Sequence, residues 1–280
     1  MKWKGRRGSS NVQDRRGGGT SRGVVGGGIG TIILFVVVLL MGGDPSQLLG
    51  NSAFINPAPS QYVESEEENE LAEFASVVLA ETETVWDDLF EKEGLEYQYP
   101  TLVLYTDYVQ SACGNATSQT GPFYCPGDNS VYIDLSFYEE LKKNYKAPGD
   151  FAFAYVIAHE VGHHVQKQLG ITDQVMGLRN RLSEKDFNQY MVRLELQADY
   201  FAGVWAHYVE RANLLEKGDI NEALNAASAV GDDRIQSEAW GYVVPDKFTH
   251  GTSEQRARWF YKGFESGTMQ DGDTFNAKDL

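Results

Sequence analysis

Residues 158 to 164 read AHEVGHH and crowd three of the chain's five histidines around one glutamate. They sit inside GDFAFAYVIAHEVGHHVQKQLG, where Phe151, Ala154, Tyr155, Ala158, Gly162 and Val165 recur at helical spacing. Asp150 is placed to cap the start with Pro148 just outside, and Gly170 to stop the helix with Lys167 in its last turn. On such a helix His159 and His163 are four apart and project from one face. Their flanks (Tyr155, Val156, Ile157, Val161, Val165) are apolar, so the imidazoles face a core and need partners there. Two neutral imidazoles at this separation can grip one metal ion. Glu160, about 100° round the axis, can reach a water on that ion without being a ligand. This is the logic of H-E-x-x-H. His164 shares the Glu160 side and reads as a polar residue at the cleft edge.

Two histidines do not complete a site, because catalytic zinc usually takes three protein ligands and a water. The segment NQYMVRLELQADYFAGVWAHYVERANLL reads as a second long helix with a core stripe of Met191, Leu194, Ala198, Phe201, Ala202, Trp205 and Val209. Glu195 and Asp199 border that stripe one turn apart. Carboxylates there are costly unless something positive meets them. Glu195 as third ligand with Asp199 behind it answers both demands. An ion pair to Arg193 or Arg179 is the alternative, and His207 and His250 are the next ligand candidates.

An H-E-x-x-H helix followed by a helix carrying E-x-x-x-D is the layout of gluzincin peptidases, including the CAAX prenyl endopeptidase and the heat-shock peptidase HtpX. More specifically, the chain resembles the bacterial, YpfJ-like family of neutral zinc metallopeptidases that carry one N-terminal membrane anchor. The resemblance covers nearly the whole chain, through KWKGRRGSSNVQDRRG, GPFYCPGDNSVYIDLSF, AHEVGHHVQ, ELQADYFAGVWA, GDDRIQ and GYVVPDKFTHGTSEQRARWF. It implies a zincin-like metallopeptidase domain, with His159, His163 and Glu195 holding one zinc ion and Glu160 as base. The stretch HGTSEQR resembles H-P-x-x-x-x-R in related gluzincins, which makes His250 a candidate oxyanion donor with Arg256 at the end of the motif. Gly251 stands where those relatives place proline, and the alternative for His250 is a surface loop residue.

Charge is unevenly spread. Residues 1 to 23 hold seven Lys and Arg and one Asp, a balance of +6, which leaves −22 of the total −16 for the rest. So acidic a body excludes nucleic acid as a partner. Residues 24 to 41, VVGGGIGTIILFVVVLLM, carry no charge and as a helix would span about 27 Å, just enough for a bilayer core. LLMGGDP offers no A-x-A-like cleavage site. The expectation is a permanent signal anchor in the lipid bilayer of the cytoplasmic membrane. By the positive-inside rule residues 1–23 form a cytoplasmic tail. Residues 42–62, rich in Gly, Pro, Ser and Asn, form a linker, and residues 63–280 form a periplasmic or extracellular domain.

That domain reads as α+β and mostly helical with a small β-sheet. Acids open a helix at ESEEENE, followed by Leu71, Phe74, Val78, Val85 and Leu89 at helical spacing. TLVLYT and SVYIDL read as strands bracketing a loop with the chain's two cysteines. In an oxidising compartment Cys113 and Cys125, twelve positions apart, are expected to pair. The second strand either lies inside the sheet or offers a free edge to a substrate backbone, with Tyr132 and Asp134 flanking the cleft. GDINEALNAASAVGDDRIQSEAWGY reads as helical with a break at Gly231, and Thr252 or Ser253 can cap a final helix.

The expected reaction is hydrolysis of a peptide bond in a protein or peptide substrate. Zinc lowers the pKa of its water and polarises the carbonyl, and Glu160 moves the proton. The rival is a non-catalytic, membrane-tethered protein in which zinc only ties two helices together.

Overall fold

The computed structural model describes residues 1–17 and 64–280. Its first segment is built into the same body as the rest. Strand β1 (Val12–Asp14) lies parallel to β2 (Thr101–Tyr105), with Val12 opposite Leu102. Trp3 packs edge-on to Phe74 at 5.4 Å, and the Met1 ammonium lies 3.0–3.1 Å from carboxylate oxygens of Asp150, Glu216 and Asp219.

This overturns the expected single-pass topology. A tail held on one side of a bilayer cannot be a strand in the sheet of a domain on the other side. Among the described residues no helix is long and apolar enough to cross a membrane. The run 24–41 lies outside the described residues. Three of the basic residues that suggested an inward tail instead meet acids: Lys4 pairs with Glu70, Arg6 with Glu81 and Arg16 with Asp14. The positive surplus complements the acidic helix beside it.

That helix, α1 (Glu66–Lys92), starts at a capping box between Ser65 and Glu68 and buries Phe74, Val78, Val85 and Leu89. Beyond β2 come a hairpin of β3 (Tyr108–Ser111) and β4 (Gly114–Thr117), then β5 (Phe123–Cys125) and β6 (Ser130–Asp134). The main sheet runs β1-β2-β6-β5, parallel except that β5 is antiparallel to β6. β6 is therefore interior and wholly buried. Tyr132 donates to Asp128, and Asp134 accepts from the amides of Asp107 and Ser136. The edge strands are β1 and β5, and of these the one that lies beside the helix Asp150–Gln168 is β5. A Cys113–Cys125 disulfide, Cα atoms 5.8 Å apart, ties its end to the β3–β4 turn.

The remaining helices are α2 (Phe137–Lys143), α3 (Asp150–Gln168), α4 (Ile171–Met176), α5 (Glu184–Arg211), α6 (Asp219–Ala229), α7 (Asp232–Trp240) and α8 (Ser253–Ser266). Gly149, not Asp150, is the N-cap of α3; Gly231 caps α7 and Thr252 caps α8. The whole stripe of α5 from Met191 to Val209 is buried, with Trp205 stacked on Phe151 of α3.

Two close approaches set the helices around the site. A Cβ on Gly162 of α3 would lie 2.9 Å from the Ala198 carbonyl of α5, between Glu195 and Asp199. On the other side of α5, a Cβ on Gly263 of α8 would lie 2.0 Å from the Tyr200 carbonyl. Only glycine lets these backbones touch.

Candidate metal centre

Because α3 and α5 meet at Gly162, the side chains one turn either side of the contact converge. His159 Nε2 lies 3.3 Å from Glu195 Oε2, and His163 Nε2 lies 3.5 Å from Glu195 Oε1. One ligand atom from each residue falls within 4.8 Å of the others. Although Glu195 is buried, its Oε1 has no hydrogen-bond partner. An unpaired buried acceptor costs about 1–3 kcal/mol, and more when charged. A cation between the three side chains removes that cost, and two imidazole nitrogens with one carboxylate oxygen suit zinc. The one other such cluster among the described residues, Asp150, Asp219 and Glu222, receives the Met1 ammonium on its two aspartates.

Asp199 backs His159 from the opposite ring nitrogen, its Oδ1 2.8 Å from Nδ1. It also accepts from Tyr155 Oη at 2.5 Å and from Arg256 Nε and Nη2 at 2.8 and 2.9 Å. Burial pushes the Asp199 carboxyl up, but Arg256 and His159 outweigh it and hold the group below the usual range. Burial disfavours a charged His159, yet Asp199 and Glu195 together raise its pKa to about 9. The pocket between these carboxylates thus strongly attracts positive charge. His163 is backed differently, by the Gln166 side-chain oxygen 2.9 Å from Nδ1.

Glu160 points into a cavity of about 110 Å³ shared with His159, His163, Glu195 and His250. Burial raises its pKa, with His159 and His163 pulling the other way. Tyr124 of β5 lines the same cavity, whose lining also includes Phe137, Tyr145, Val156, Val230 and Ile235.

His250 belongs to this cavity rather than to an outer loop. Asp232, fully buried at the first turn of α7, accepts the amides of Thr249, His250 and Gly251 at 2.7, 2.6 and 3.1 Å. Its other oxygen lies 3.3 Å from His250 Nδ1. Burial opposes charge on His250, but Glu195 and Asp232 raise its pKa overall. Gly251 has φ +91°, which the proline ring cannot adopt, so the departure from the H-P pattern follows from this turn.

His164 is not at the cleft edge. It is buried, with Nδ1 2.9 Å from Tyr124 Oη and Nε2 2.6 Å from the Gln98 carbonyl, and burial lowers its pKa to about 4. It fastens α3 to β5. The alternative partners for the α5 acids lie elsewhere: Arg193 donates to the carbonyls of Thr274 and Ala277, and Arg179 lies over the Phe187 ring. His207 faces the Phe264 carbonyl at 2.8 Å. Asp232 and Gln166 were not singled out from sequence. An acid at a helix start reads as an ordinary dipole partner, and a glutamine near a helix end carries no signal.

The profile of the family described as "Putative neutral zinc metallopeptidase" matches residues 1–275. A protein of Escherichia coli K12 named YpfJ is 50% identical over 283 residues, covering 98% of this chain and 99% of the relative. The Mycobacterium tuberculosis H37Rv protein Rv2575 is 41% identical over 196 residues, covering 66% of this chain and 65% of its own. No solved structure matches. With the match running almost from end to end, the chain belongs to the family described as "Putative neutral zinc metallopeptidase".

Proposed function

We propose that this protein is a zinc-dependent endopeptidase of the H-E-x-x-H type, with His159, His163 and Glu195 as ligands of one zinc ion. The observation that carries the reading is the buried, unpartnered Glu195 Oε1 facing an imidazole of the H-E-x-x-H helix. When bound, zinc supplies Lewis acidity toward the scissile carbonyl and toward water. The chain's own groups do the rest. Glu160 takes the proton of the attacking water and returns it to the departing amine. Burial raises its pKa, which suits a group that must both accept and give up a proton. His250, oriented by Asp232, donates to the developing oxyanion. Arg256 and Tyr155 hold Asp199 against His159.

Edge strand β5 borders the cavity and offers main-chain groups for pairing with an extended peptide. The uncharged walls formed by Phe137, Tyr145, Val156, Val230 and Ile235 favour an apolar substrate side chain beside the scissile bond. A purely structural zinc site would be closed by a fourth protein ligand. Among the described residues the cluster has three, with Glu160 beside it.

The test is cleavage of casein by zinc-loaded protein with and without chelator, alongside Glu160→Gln. The variant should keep its zinc and lose about 10²–10⁴-fold in rate. Intact casein at full zinc occupancy, or wild-type rates in the variant, would sink the reading.

A further inference from the structure

The two histidines of the cluster are backed by unlike groups: a carboxylate behind His159 and a neutral amide behind His163. Gln166 has no solvent exposure, and all of its polar contacts lie inside the protein. Its Nε2 is 2.6 Å from the Leu194 carbonyl and 3.1 Å from Gln197 Oε1. Gln197 in turn places its Nε2 2.8 Å from the Gly272 carbonyl.

A side-chain amide can be turned end for end, so its orientation must come from its partners. Here the chain of contacts ends in two backbone carbonyls, which only accept. Leu194 demands a nitrogen from Gln166, and Gly272 demands one from Gln197. Turning either amide would set oxygen against oxygen at a buried position. Gln166 must therefore present its oxygen to His163, and that oxygen also only accepts. The hydrogen of neutral His163 then sits on Nδ1, and the lone pair on Nε2 faces Glu195.

We infer that Gln166 is a positioning residue that sets the tautomer of His163, its own polarity fixed directly by the Leu194 carbonyl and, through Gln197, by the Gly272 carbonyl. The functional consequence rests on His163 being a zinc ligand; the tautomer assignment does not. An imidazole without such a partner divides its hydrogen between two nitrogens, and the Nε2–H form directs a hydrogen at the cation. The amide has a second effect. Leu194 immediately precedes Glu195, so one side chain spans from His163 to the turn of α5 that carries Glu195. An amide also accepts without charge, in a pocket that already holds Glu160, Glu195 and Asp199.

The test begins with ¹⁵N-resolved NMR of the histidine rings in the metal-free full chain. His163 should be in the Nδ1–H form, and finding Nε2–H there overturns the inference whatever the protein binds. Gln166→Met, similar in length but unable to accept, should lose that preference and bind zinc about 10–100-fold more weakly in chelator competition. Gln166→Glu restores the acceptor and should recover most of the zinc affinity, although it leaves the Leu194 carbonyl unpaired and lowers Tm. A merely structural role would lower Tm in both variants and leave their zinc affinities equal, which also overturns the proposal. Should Gln166→Met not fold, Gln166→Glu alone decides: its carboxylate only accepts, so His163 should keep the Nδ1–H form, and finding Nε2–H in that variant counts against the proposal. If wild-type protein shows the Nδ1–H form yet takes up no zinc, the tautomer inference stands and the peptidase reading falls.

Discussion

Glu195 and Asp199 lie one turn apart on α5 and both are buried, yet they meet His159 on opposite ring nitrogens. Position on the ring separates their roles. Glu195 shares the Nε2 side with His163, while Asp199 is engaged by Tyr155 and Arg256. Glu195→Gln should therefore yield protein that loses its zinc under mild chelation. Asp199→Asn should retain zinc with affinity or rate reduced about 10–100-fold. Zinc analysis after gel filtration in chelator distinguishes the two, and the reverse pattern would exchange the roles. Asp199→Asn also strips Arg256 of its buried counter-charge, so urea unfolding should show a loss of about 3–5 kcal/mol. Both acids were legible in the sequence because each borders an apolar stripe at a helical interval. The tautomer-setting glutamine was not, since nothing in VQKQLG distinguishes Gln166 from Gln168 until the neighbouring helix is present.

At the scale of elements, the site depends on how closely helices approach. Alanine is normally better than glycine inside a helix by about 1 kcal/mol. At Gly162 the added Cβ would meet the Ala198 backbone at 2.9–3.4 Å, and the contact wins. Gly162→Ala should lower Tm and zinc affinity together, while a peptide of residues 150–168 with the same change gains helicity. If the full-length variant is instead stabilised, the close approach is wrong. Gly263→Ala acts through α8: its Cβ must move off the Tyr200 carbonyl and carries Arg256, two turns earlier, away from Asp199. The disulfide works on the β side. Cys113→Ser removes a cross-link expected to contribute about 3 kcal/mol, so Tm should fall to that of the reduced wild type while zinc content is unchanged. The long helices were readable from period, whereas the cap of α3 was not, being Gly149 rather than Asp150. β1 was not: three residues in a basic stretch carry no alternation, and their partner lies beyond α1 in the chain.

For the molecule as a whole, the amino-terminal residues are a structural part of the domain. Trp3 is buried against Phe74, and Trp3→Ala should cost about 3–5 kcal/mol in one cooperative transition. A tail independent of the body would leave the melting curve unchanged. The charge pattern that suggested such a tail was real, but net charge describes long-range attraction and not what the charges meet. Here they meet α1. By itself the sequence determined the local quantities: where the long helices run, which face of each is apolar, that His159 and His163 share one side, and that Glu195 and Asp199 need a cation. Those follow from backbone periodicity and from the cost of burying unpaired charge, both confined to a few turns. Only the tertiary structure decided which strand borders the cavity, where Asp232 and Gln166 sit, which nitrogen each carboxylate faces, and that the first strand joins the sheet. Each depends on contacts between residues far apart in the chain. There, close approach and hydrogen-bond polarity choose among partners that a linear pattern leaves equal.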